Sequence, residues 1–172
     1  VTARLKLVAA SIVIVAFAVG AFAAFTSTSR SGTLSQQVAS WVAGANLGSS
    51  IGTLEADIAR IGTVLGQGKG LSVVQTDCIV LEQDATAANG DLPTPDPTLT
   101  KELSRAYTLA YDAGADCDNA GSLTDASFRR ATVERRQARE AMRVALARAE
   151  RLTGKTVATT TTTQPPSGGL FG

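Results

Sequence analysis

Histidine is absent from the 172 residues, cysteine occurs only twice, and methionine and tryptophan occur once each. Without histidine the chain lacks the usual base for activating a nucleophile. Two isolated cysteines do not make a zinc site. No cysteine precedes Cys78, which excludes lipid attachment at a signal-peptide junction. Neither phosphate-binding glycine pattern occurs, and Gly66-Gln67-Gly68-Lys69-Gly70 has no strand before it, so it reads as a hinge between helices. Also lacking is any long stretch with the two-residue alternation of a half-buried strand. These absences point to an all-α, non-enzymatic protein with no cofactor and no metal. Asp112, Asp116 and Asp118, and Asp77 with Asp84, could suggest a loose calcium site. They lack EF-hand spacing and read more simply as a solvated acidic face.

What is present begins with Leu7 to Phe25, nineteen residues without a charge, led by Arg4 and Lys6. At about 1.5 Å per residue this helix spans roughly 28 Å, near the hydrocarbon thickness of a bilayer. Length favours a retained signal anchor, the expectation adopted. Seven alanines and the Ala21-Phe22-Ala23 pattern favour a cleaved signal peptide. Either way the basic lead stays cytoplasmic and everything from about Thr26 crosses the membrane. The expected organisation is an anchor or signal at 1–25, a linker at 26–33, a helical bundle at 34–154 and a disordered Thr/Pro/Gly tail at 155–172. The location is membrane-anchored and extracytoplasmic, with secretion after cleavage as the alternative.

Beyond the linker, apolar residues recur at spacings of three and four. Leu34, Val38, Trp41 and Ala45 begin the series, and Ile51, Leu54, Ile58, Ile61 and Leu65 continue it after a slip. That is one long helix, or two joined near Asn46 to Ser50. A second helix carries Val74, Cys78, Leu81 and Ala85. The proline run Leu92 to Pro97 cannot be helical, and Asp96 followed by Pro97 is a strong helix start. The third helix holds Leu103, Ala106, Ala110 and Cys117, and the last holds Phe128, Ala131, Arg135, Ala138 and Met142. Short connections make an up-down bundle of about four helices.

Several residues carry specific expectations. Cys78 and Cys117 lie in the apolar stripes of neighbouring helices in an oxidising compartment, and are expected to pair. The extended prolines supply the climb that brings them level. Arg135 interrupts an apolar stripe and is expected to meet Asp77, Asp112 or Asp116, or else to snorkel to water. Tyr107 and Tyr111, four apart, flank a pocket or pack half-buried. Gly44, Gly48 and Gly52 recur every four residues, a groove for a closely approaching helix, either a partner's or the bundle's own. Charge is strongly divided: Glu55 to Asp125 holds twelve acids against four bases, and Arg129 to Arg151 holds eight arginines against three glutamates. Opposed surfaces within one fold are the simplest account, with lipid phosphate or an acidic partner next.

The wording LPTPDPTLTKELSRAYTLAYDAGADC, with Leu92, Pro93, Pro95, Asp96, Pro97, Leu99, Thr100, Leu103 and Cys117, resembles a segment of small uncharacterised secreted or membrane-anchored helical proteins of actinobacteria. The resemblance covers about a quarter of the chain and implies an extracytoplasmic helical domain with paired cysteines. It implies no activity. The functional expectation is an interaction or accessory subunit of an envelope or membrane complex, using Gly44, Gly48, Gly52 and Arg135. The membrane, through a single N-terminal span, and an envelope protein are the expected partners, with self-association as a further possibility, and nucleic acid is not expected. The alternative is a ligand-sensing bundle with its pocket at Tyr107 and Tyr111.

Overall fold

The computed structural model describes residues 32–160. Leu7 to Phe25 lies outside them, and among the described residues no helix is long and apolar enough to cross a membrane. The described residues form five helices and no strand. Helix α1 covers Leu34–Gly44, α2 Leu47–Gly66, α3 Leu71–Asn89, α4 Pro97–Asp118 and α5 Ala126–Thr153.

Thr33 starts α1 with a reciprocal cap, its hydroxyl accepting from the Gln36 N–H while the Gln36 side chain accepts from the Thr33 N–H. The first helical stretch is broken into α1 and α2. Asn46 sits at φ 50°, a left-handed conformation that asparagine tolerates better than most residues. Asp96 caps α4 by accepting from the Leu99 N–H at 2.6 Å, with Pro97 at the first helical position. At the far end of α4 the Gln75 side chain, reaching from α3, donates to the carbonyls of Asp118 and Ala120. That capping ends the helix at Asp118, three residues before Gly121. Asp125 caps α5, and Gly154 at φ 66° closes it.

Helices α3, α4 and α5 are successive antiparallel neighbours. Asp96 with Arg148 and Asp116 with Arg130 register α4 against α5, and Cys78 with Cys117 registers α3 against α4. Helix α2 packs on α3 and α1 packs on α5, so the split first stretch fills the fourth position of an up-down bundle. The core combines large side chains on α2 to α4 (Ile51, Leu54, Ile61, Leu81, Leu99, Leu103) with alanines on α4 and α5 (Ala110, Ala113, Ala131, Ala138, Ala145) that let these two helices approach closely.

Candidate functional site

The disulfide joins Cys78 to Cys117 with their Cα atoms 5.9 Å apart, and both cysteines are fully buried. One turn before Cys117, Gly114 faces α3 so closely that a Cβ there would stand 2.8 Å from both the Cys78 carbonyl oxygen and the Glu82 nitrogen. Among the described residues this is the glycine that places backbone against backbone across two helices. Sequence reasoning passed over it because it stands alone rather than in a repeat.

The repeated glycines behave differently. Gly44 has nothing within 4 Å of where a Cβ would be. Gly48 and Gly52 are buried, and the atoms nearest to where each would carry a Cβ belong to residues 157–160 rather than to a helix. A Cβ on Gly48 would overlap the Ala158 carbonyl, and one on Gly52 would come within 2.6 Å of the Thr160 carbonyl oxygen. Residues 155–160, expected to be disordered, therefore run as an extended strap along α2. The register has a simple origin: one helical turn advances about 5.4 Å and two extended residues about 6.6 Å. The Val157 N–H donates to the Glu150 side chain at 3.0 Å, and the Val157 side chain packs against the core. Gly48→Ala is therefore expected to expose residues 156 to 160 to proteolysis while leaving α3 to α5 intact. Limited proteolysis read by mass spectrometry checks this.

Arg135 is 7% exposed, and among the described residues no carboxylate pairs with it. The expected acid partner is not there, and the side chain does not snorkel to water. It bends along its own helix, donating to the Ala131 carbonyl and the Thr132 hydroxyl, with the Phe128 ring 6.0 Å from its guanidinium carbon. Burial and then Arg139 lower its pKa from the ordinary arginine value. Asp116 is taken by Arg130, and Asp77 by Arg60.

Tyr107 belongs to the core, and burial raises its hydroxyl pKa. Tyr111 is exposed beside Glu82. Neither lines the cavities described below. Among the described residues no group of three or more acids and cysteines is arranged to hold a metal ion.

Two surface depressions stand out among the described residues. The larger, about 420 Å³, runs between α4 and the outer face of α5. Its floor is Val133, Ala141 and Val144, and its rim is Glu102, Arg105, Arg136, Gln137 and Glu140. Val133 and Val144 are 42% and 37% exposed, a second apolar line on a helix whose first line is already in the core. Glu140 is bound by Arg143, and Glu102 lies in the field of Arg148. Arg105, Arg136 and Glu102 have no ion-pair partner among the described residues, two positive groups against one negative, so the unbalanced charge of the rim is positive. The spacing of Val133, Gln137, Glu140 and Val144, by four, three and four, was the available signal for this groove.

The smaller depression, about 210 Å³, lies between α2 and α3 and is lined by Ser49, Ser50, Thr53, Asp84 and Asp91 among others. Next to it is a buried carboxylate that sequence reasoning missed. Asp57 is 2% exposed and accepts from Arg60 at 2.6 Å, and Arg60 also donates to Asp77 at 2.9 Å. The other oxygen of Asp57 is enclosed with no donor, and the Asp84 carboxyl lies within hydrogen-bonding reach. Burial first, then Asp84, push the Asp57 pKa up to about 7. A visible signal existed here too: Asp57 stands three residues after Leu54 and four before Ile61, within the apolar stripe.

Comparison with protein-family models, curated proteins and solved structures finds no match to this chain.

Proposed function

We propose that the chain is a non-catalytic interaction module of the cell envelope, tethered by its N-terminal apolar segment, and that the α4/α5 groove docks an amphipathic helix of a partner protein. The single observation that carries this reading is the groove: an apolar floor left exposed on a helix whose other side already fills the core. Surface patches of this kind, rimmed by polar groups, are characteristic of binding faces. The partner chemistry follows from the rim. An apolar stripe would seat on Val133, Ala141 and Val144, and acidic flanks would face Arg105 and Arg136. The same charge division makes an acidic partner fit the arginine-rich α5 better than a basic one. The disulfide is in keeping with the oxidising side of a membrane.

Two labelled model helices with the same apolar stripe, one flanked by glutamate and one by lysine, test the reading by fluorescence titration. The glutamate-flanked peptide is expected to bind, more weakly as salt rises, and Val144→Glu to weaken it by about tenfold or more. Equal binding of both peptides, or binding that survives Val133→Glu, contradicts it.

A further inference from the structure

We propose that the buried carboxyl of Asp57 holds a proton, and that this proton fastens α2 to α3, so that the contact loosens as the pH rises through neutrality. The geometry gives three carboxylates, Asp57, Asp77 and Asp84, a single cation, Arg60, to balance them. Arg60 occupies one oxygen of Asp57 and one of Asp77. The second oxygen of Asp57 is enclosed and has no donor, and the Asp84 carboxyl lies close enough to the group to act on it. With both groups ionised, two like charges lie side by side at a buried contact. One proton, taken from water, converts that repulsion into a charge-assisted O–H to O⁻ hydrogen bond.

The other elements around α2 supply nothing that would replace the proton. Helix α1 contains no charged residue. The buried charge of α5, Arg135, is governed by its own burial and Arg139. Asp91, just past the end of α3, lines the neighbouring depression and adds negative charge.

The direction of the pH effect follows from the Asp57 pKa, raised from 3.8 to about 7 by folding. Its contribution is fully present below about 4 and is lost as the pH climbs through about 7. Because α2 also carries Gly48 and Gly52, the helix that loosens is the one that seats residues 158 to 160. The contact is thus a proton-sensitive latch that controls both α2 and the strap.

Hydrogen exchange of the full chain at pH 5.5 and 8, corrected for intrinsic exchange rates, reads the latch directly. Protection of α2 amides is expected to fall about tenfold or more between these pH values relative to α4. Asp57→Asn should abolish the change, and Asp84→Asn, which leaves Asp57 buried but removes the second cause of its raised pKa, should move the midpoint of the change to lower pH. Burial also raises the pKa of Glu134, so Glu134→Gln is the control and should leave the α2 response intact. Equal loss of protection in α2 and α4, a response that persists in Asp57→Asn, or a midpoint that Asp84→Asn leaves unmoved, would overturn the proposal.

Discussion

Replacing Cys78 and Cys117 by alanine is expected to lower the unfolding free energy by about 4 kcal/mol, the value of the chain-entropy model for a loop of this size. The bridge spans 39 residues and joins two helices near their most tightly packed point. Both side chains are fully buried, so the loss includes packing as well as the cross-link. Urea unfolding of the oxidised wild type beside the double variant measures it, and dithiothreitol on the wild type isolates the cross-link. A difference under about 1 kcal/mol would mean that the helix contact holds without the bridge.

The second large effect is expected at Gly114. An alanine there should gain about 1 kcal/mol of helix propensity. Its methyl would stand 2.8 Å from two backbone atoms of α3, which cannot move without the whole helix. Overpacking of this kind costs typically about 1 to 3 kcal/mol and more where backbone must shift, so a net loss of about 2 kcal/mol is expected. Gly62→Ala is the internal comparison: nothing lies within 4 Å of that Cβ, and it should stabilise by about 1 kcal/mol. A neutral Gly114→Ala would show that α3 and α4 are held apart by something other than their backbones.

These two results bear on how far the sequence could be read. Helix positions and the cysteine pairing were legible because both depend on spacing: apolar residues at intervals of three and four place Cys78 and Cys117 on facing stripes. The break at Asn46 was legible as a region but not as a position. It turns on one residue adopting a left-handed conformation. Arg135 was read correctly as a charge inside a stripe, and its missing acid was not foreseeable. A guanidinium four residues along from a carbonyl can satisfy itself within its own helix. The glycine repeat suggested a helical neighbour because helices are the usual occupants of such grooves. The occupant here is six residues of tail whose composition alone read as too polar to order. Gly114 and the Asp57 to Asp84 contact depend on which residues two helices bring together. A single strand of sequence shows one side of each such meeting at a time.

Docking of a partner in the proposed α4/α5 groove is checked by purifying the full chain from native membranes after mild cross-linking, in three forms: wild type, Val133→Glu with Val144→Glu, and Ile79→Glu. Ile79 is a similarly exposed apolar residue on α3, away from the groove. One stoichiometric partner is expected with the wild type and with Ile79→Glu, lost from the groove variant while its thermal melt stays unchanged. Retention of that partner by the folded groove variant, or its equal loss from Ile79→Glu, would contradict the account.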